Sequence, residues 1–93
     1  MRTRSAAPTE RQIMTHPVPA GYTEIVDRAG WWDARYFEKD EPAADAHAHA
    51  LVEAASILLC ANGWGPMEAG LRVNRDRNAA SLRHAEEYRG ADR

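Results

Sequence analysis

The segment from Pro42 to Asn62 constrains the fold most, because it is the one long stretch with a strong helical period. Pro42 suits the first turn of a helix, where its missing N–H has no helical partner, and Asp40 can act as the N-cap. At the far end, Gly63 suits the left-handed residue that follows a helix, and Pro66 prevents continuation. We therefore predict a long central helix over this segment.

Two faces of this helix are apolar. At about 100° per residue, one face gathers the larger side chains and is the predicted core face. It comprises Ala44, Ala48, Leu51, Val52, Ala55, Leu58 and Leu59. The opposite face comprises Ala43, Ala46, Ala50, Ala54, Ile57 and Ala61. A helix that is apolar on nearly all sides is usually covered on more than one side, by the C-terminal helix or by a second subunit. The alternative is that alanine, a good helix former, lies on a solvated face.

The segment from Tyr22 to Glu38 fits two structures. As a β-hairpin, its strands run over 22–26 and 31–37, and the turn between them ends at Gly30, which tolerates a positive φ. The tandem Trp31 and Trp32 then point to opposite faces of the sheet. A helical period also runs through the segment, but Gly30 in its middle and the many aromatic and β-branched residues disfavour a helix. We predict the hairpin.

The remaining segments complete an α+β prediction. Apolar residues alternate over 67–73, which indicates a short strand, and Asp76 is a suitable N-cap for a C-terminal helix over 77–89. The predicted order is hairpin, long helix, strand and shorter helix, in a single small domain over 22–90. The alternative is an all-α three-helix bundle. Residues 1–21 contain three prolines and no period, which predicts a flexible arm.

Composition limits the class of protein. The net charge of −2 argues against a general polyanion binder, and the single cysteine excludes an internal disulfide. No apolar run reaches the length of about 18 residues that a membrane span needs, so we expect a cytoplasmic protein without a membrane partner. Eleven Arg against one Lys, together with eighteen Ala, are typical of a GC-rich genome, such as that of an actinobacterium or its phage.

The sequence contains no convincing catalytic or metal-binding pattern. Asp45, His49 and Glu53 share a helical stripe at spacings of four, but a second histidine motif is missing. Cys60 lies at a helix C-terminus, where the helix dipole disfavours a reactive thiolate. We predict no catalytic residue, no metal ligand and no cofactor, and therefore a protein that is not an enzyme.

One alternative function is nucleic-acid binding through an arginine segment. Arginine and asparagine side chains contact phosphates and base edges, and several lie within twelve residues. They are Arg72, Asn74, Arg75, Arg77 and Arg83. Asp76 lies among them, and the genome-wide arginine bias weakens the pattern.

Protein binding is the leading prediction. Exposed tryptophan is enriched at binding hot spots, and the second apolar helix face offers a docking surface. The predicted contact residues are Trp31, Trp32, Ala46, Ala50, Ala54 and Ile57. An acidic zone over 24–53 and an arginine-rich zone from residue 70 onward are expected to meet complementary partner surfaces. The small size favours a regulator or inhibitor of a larger protein, and a homo-oligomer fits the same features.

Overall fold

The computed structural model describes residues 9–91, which form four helices and no strand. The helices are α1 (Glu10–Thr15), α2 (Tyr22–Glu38), α3 (Pro42–Ala61) and α4 (Pro66–Ala91). Helix α2 packs against both α3 and α4, which contact each other less, and α1 lies on α4. Because the loops over 39–41 and 62–65 are short, consecutive helices of the bundle run antiparallel. Helices α2 and α4 are therefore parallel.

The predicted α+β class is wrong, and the all-α alternative describes the structure, with the short α1 in addition. The segment predicted as a hairpin is one continuous helix, α2. Its Gly30 does not form a turn but lies buried where α2 crosses α4. Close approach of two helix backbones, rather than a positive φ, is the reason for glycine at this position.

The predicted strand over 67–73 and the predicted helix start at Asp76 are also wrong, because α4 runs unbroken from Pro66. Ala69 and Val73 are buried at the helical spacing of four, while Leu71 between them is exposed. The apparent alternation of apolar residues therefore placed Leu71 on the wrong side. Tertiary packing of an i, i+4 pair decides the structure here.

The predicted helix over Pro42 to Asn62 is confirmed, with Ala61 as its last residue. Its N-cap is Glu41, and the neighbouring Asp40 takes a left-handed φ of 53°, which aspartate tolerates better than most residues. Gly63 has the expected positive φ, at 93°. On the predicted core face, Ala44, Ala48, Ala55 and Leu59 are buried and the other three residues are half-buried.

The large core side chains gather at one end of the bundle. There the start of α2, the end of α3 and the start of α4 meet. The cluster comprises Ile13, Tyr22, Val26, Ala55, Leu59, Trp64, Ala69 and Val73. Toward the other end the buried residues are mostly alanines, which let the helices approach closely but bury little apolar area. That end therefore depends more on polar contacts between the helices.

Part of the segment predicted as a flexible arm is helical. Residues 1–8 lie outside the described residues, but Thr9 and Gln12 form a reciprocal capping box at the start of α1. Ile13 of α1 is buried in the core. The Arg72 guanidinium donates to the carbonyl oxygens of Ile13 (3.0 Å), Met14 (3.1 Å) and His16 (3.3 Å). Helix α1 is thus docked on α4.

Candidate protein-interaction surface

The acidic and arginine-rich zones pair with each other inside the molecule. Asp27 of α2 accepts a hydrogen bond from Arg83 of α4. A second pair joins Asp33, further along α2, to Arg77, which precedes Arg83 on α4: Arg77 Nε lies 3.4 Å from an Asp33 carboxylate oxygen. At the far end, Arg89 Nη1 donates to Glu38 over 3.2 Å. These pairs connect the parallel helices α2 and α4 where the core is poor in large side chains. Much of the charge expected to face a partner is therefore neutralised within the chain.

The two aspartates of this series have opposite electrostatic environments. Burial alone would raise the pKa of Asp27, but hydrogen bonds from His84 and Arg83 outweigh burial and hold its pKa below the ordinary value. The distance from His84 Nε2 to the Asp27 carboxylate is 3.1 Å. At Asp33, burial dominates and raises the pKa, although the charge of Arg77 opposes the shift.

The arginine segment proposed for nucleic-acid contacts is engaged in the same way. Each of its four arginines has a carboxylate partner: Arg72 pairs with Asp76, Arg75 with Glu10, Arg77 with Asp33, and Arg83 with Asp27. Asn74 is exposed and accepts a hydrogen bond from Arg77. These residues lie within α4 rather than at a helix start. Paired guanidinium groups attract a phosphate backbone less than unpaired ones.

A cluster on the outer side of α2, which we call the tryptophan patch, consists of Arg28, Trp31, Trp32, Arg35 and His47. Residues three before and four after Trp31 lie beside it on the helix surface. Accordingly, the guanidinium carbon of Arg28 lies 5.3 Å from the centroid of the Trp31 ring, and that of Arg35 lies 4.9 Å from it. Both distances are within the range of a cation–π contact.

The second indole of the tryptophan patch connects α2 to α3. Trp32 stacks on His47 of α3, with ring centroids 4.2 Å apart and planes inclined by 22°. Trp31 and Trp32 meet edge to face at 4.9 Å. The prediction that the two rings point to opposite faces is wrong, because neighbouring residues on a helix are only about 100° apart. Both indoles are half-buried, so each is held in place while part of it faces solvent.

The second apolar face of α3 is open. All six of its residues, which we call the alanine stripe, are exposed in the described structure: Ala43, Ala46, Ala50, Ala54, Ile57 and Ala61. Ile57 has 61% of its surface accessible. Helix α4 does not cover this face, contrary to one expectation from the sequence. His47 lies four residues after Ala43 and three before Ala50, so the alanine stripe borders the tryptophan patch.

The sequence pointed to Trp31, Trp32 and the alanine stripe, and the structure brings these residues to one side of the molecule. It also adds Arg28, Arg35 and His47, which the sequence analysis missed. The spacing of Arg28 and Arg35 around Trp31 contains the signal, but it has meaning only when the segment is treated as a helix.

A groove of about 460 Å³ lies between the first half of α2 and α4. Its polar side chains mostly bond one another: the Tyr22 hydroxyl donates to Asp76 over 2.8 Å, and Arg72 Nε donates to the same carboxylate over 2.7 Å. Burial, reinforced by Asp76, raises the pKa of Tyr22. The groove is thus lined by a satisfied structural network.

Residues 9–91 contain no group of three or more His, Cys, Asp and Glu side chains placed to hold a metal ion. None of the helices in that range combines the length and the apolar character that a membrane span requires.

Comparison with known proteins gives no relative: neither the protein-family models, nor the curated sequences, nor the solved structures contain a match to this chain.

Proposed function

We propose that this chain is a small, non-enzymatic protein-interaction module that binds a protein partner through the tryptophan patch and the adjoining alanine stripe. Its size favours a regulator or inhibitor of a larger protein. The observation that carries the proposal is the environment of Trp31 and Trp32. Both side chains are half-buried and are held by contacts with residues of two helices, and an exposed apolar helix face lies beside them.

Several physical arguments support this assignment. Tryptophan and arginine are the residues most enriched among those that dominate binding energy, and here they lie together. Because contacts already restrain their side chains, binding costs less conformational entropy than it would with free rotamers. The alanine stripe allows a partner helix to approach closely, since a methyl group holds the two backbones only a little apart. Together these features offer anchors beside a smooth docking face.

The nucleic-acid alternative has less support, because all four arginines of the proposed segment pair with carboxylates of the chain. Binding of that kind predicts a steep loss of affinity with salt and loss on changing Arg75 and Arg77 to alanine. Affinity capture from a lysate distinguishes the two functions if the eluate is also tested for nuclease-sensitive material.

The test is affinity capture from a native-host lysate with three versions of the full chain. They are the wild type, the double variant Trp31→Ala/Trp32→Ala, and Leu82→Ala. Leu82 is a matched control, because it is also a large apolar residue, 66% exposed, on a helix that contributes nothing to the patch. We expect a stoichiometric protein in the wild-type and Leu82→Ala eluates and at least tenfold less of it with the double variant, about the factor that 1.4 kcal/mol represents.

Thermal unfolding followed by circular dichroism shows that each variant is folded before capture. Equal recovery of every bound protein by the wild type and the double variant would refute the proposal, as would an eluate that contains nucleic acid alone.

A further inference from the structure

We infer that the segment that docks on the tryptophan patch is acidic: it carries a carboxylate that pairs with Arg28, beside an apolar side chain that covers Trp32. This inference rests on the proposed function and specifies the chemistry of the partner. It reverses the expectation from the sequence, in which the zone that contains α2 is acidic and calls for a basic partner.

Most arginines of the described chain are already paired with carboxylates. In the described part of the chain, six of them form ion pairs with carboxylates: Arg35, Arg72, Arg75, Arg77, Arg83 and Arg89. Within residues 9–91, Arg11 and Arg28 have no carboxylate partner. Arg11 lies on α1, whereas Arg28 lies on α2 within the tryptophan patch. Four of the acids near the patch in sequence, Asp27, Asp33, Glu38 and Glu41, pair with arginines.

Arg28 is oriented toward Trp31. Its guanidinium lies over the Trp31 ring and is exposed, instead of turning back toward Glu24 one helical turn earlier. A guanidinium that rests on an aromatic ring keeps its N–H groups free at its edge, where they match the two oxygens of a carboxylate. Such bidentate, charge-assisted pairs are stronger than neutral hydrogen bonds.

The two arginines that flank Trp31 differ in their partners. Arg35 donates through Nε to Glu41 over 3.1 Å, and a second hydrogen bond joins its Nη2 to the same carboxylate. Glu41 occupies the N-cap position of α3, so this pair joins α2 to the start of α3 and belongs to the fold. Arg28 has no such partner in the described structure. It thus leaves one positive charge for a partner at a point where the aromatic surface is also available.

The apolar contact surface lies beside Trp31, at Trp32 and the alanine stripe. Trp32 lies on the α3 side of Trp31, stacked on His47, and the alanine stripe continues from there. A docking segment that places its carboxylate on Arg28 therefore has its apolar side chains over Trp32 and the stripe. An amphipathic helix or an extended segment with an acidic residue next to leucine, phenylalanine or tryptophan has this chemistry.

The experiment uses a phage-displayed library of random twelve-residue peptides, selected on the immobilised full-length chain. We expect the enriched peptides to contain Asp or Glu beside a large apolar residue, and their binding to be lost on Trp31→Ala/Trp32→Ala. A synthetic copy of one such peptide then gives Kd values by fluorescence anisotropy. Arg28→Ala should raise Kd about tenfold, Arg28→Lys less, and the matched Arg11→Ala not at all. Added salt should weaken wild-type binding and have a smaller effect on Arg28→Ala.

The outcomes separate this inference from the proposed function. Peptides that depend on both tryptophans but lack acidic residues, or that bind Arg28→Ala as well as wild type, overturn the inference and leave the interaction module in place. Peptides that bind without regard to the tryptophans, or no enrichment at all, count against both. Sedimentation equilibrium of the chain alone adds one check: a dimer that dissociates on Arg28→Ala would show that a second copy, rather than a separate acidic partner, occupies the patch.

Discussion

Gly30 of α2 lies directly against Ala80 of α4. A Cβ atom added to Gly30 would lie 2.7 Å from the backbone nitrogen of Ser81 and closer still to the Cβ of Ala80. The neighbouring atoms belong to the backbone or to its first side-chain carbon, so they cannot rotate away. At this point the two parallel helices touch through their backbones, and any side chain at position 30 must separate them.

Gly30→Ala is therefore expected to destabilise the protein, by about 1–3 kcal/mol, although alanine favours a helix over glycine by about 1 kcal/mol. Gly70→Ala is the matched control, because Gly70 is also inside a helix but a Cβ there meets no atom within 4 Å. The Gly70→Ala variant should be about 0.5–1 kcal/mol more stable than the wild type. Urea unfolding measures both. A Gly30→Ala variant as stable as Gly70→Ala would show that the helices do not touch as described.

The contribution of Asp27 to the stability of the protein should be lost at low pH. Because its folded-state pKa lies below the ordinary value of 3.8, the unfolded chain binds more protons near pH 4 than the native protein. The contribution of Asp27 to the free energy of unfolding is thus present above that pH and is lost as the pH falls through the folded-state pKa. We expect the stability difference between wild type and Asp27→Asn to shrink between pH 5.5 and pH 3 in urea titrations. A constant difference would contradict a lowered pKa of Asp27 in the folded protein.

Asp33 should show the opposite slope. Burial raises its folded-state pKa, so the native protein holds the proton more tightly, and stability from this group falls as the pH rises through that pKa. Asp33→Asn removes the titration but also the pairing with Arg77. The stability of Asp33→Asn relative to wild type should therefore improve as the pH rises from 3 to 5.5, whichever of the two proteins is the more stable at pH 3. A relative decline over that range would show that the Arg77 charge, rather than burial, controls Asp33.

Arg72 should hold α1 in place. Arg72→Lys retains a charge beside Asp76 but loses the planar group that reaches three carbonyl oxygens. We expect trypsin to cleave after Arg11 about fivefold faster or more, the factor that a loss of ~1 kcal/mol gives. Arg75→Ala, which removes an exposed ion pair with Glu10, should change this rate little. Equal cleavage in the two variants would mean that the arginine–carbonyl contacts do not hold the helix.

The two faces of α3 should respond differently to the same substitution. Ala48 is buried, with 1% of its surface accessible, and Ala50 is exposed. Ala48→Leu should destabilise the protein by about 1–3 kcal/mol, because the larger side chain overpacks the contacts between the helices. Ala50→Leu should change stability by less than about 0.5 kcal/mol. Thermal unfolding of the pair distinguishes them, and a large loss for Ala50→Leu would mean that another part of the chain covers the stripe.

The sequence predicts α3 well, because a clean period, a proline at the start and a glycine at the end all agree there. It fails for α2, where Gly30 and the aromatic residues favour a hairpin on local grounds. The reason for Gly30 lies on another helix, at Ala80, and local propensity contains no information about that contact. The same holds for α4, where burial of Ala69 and Val73 overrides an alternation that includes the exposed Leu71.

The candidate site was predictable in its residue types but not in its arrangement. Trp31 and Trp32 stand out in any reading of the chain, and the period of α3 defines its exposed face. His47 could not be placed, because its contact with Trp32 depends on how α2 packs on α3. Nor could Arg28 be singled out, since the carboxylates that pair with Arg75, Arg77, Arg83 and Arg89 come from distant parts of the chain.

The contact between Arg72 and α1 has a consequence for how this sequence can vary. The acceptors on α1 are main-chain carbonyl oxygens, which every amino acid supplies. The side chain of Met14 is therefore under little constraint from this contact, whereas Ile13 fills the core and the His16 ring packs edge-on against Trp64 at 4.7 Å. Across descendants of this gene, we expect position 14 to drift among helix-forming residues while arginine persists at position 72.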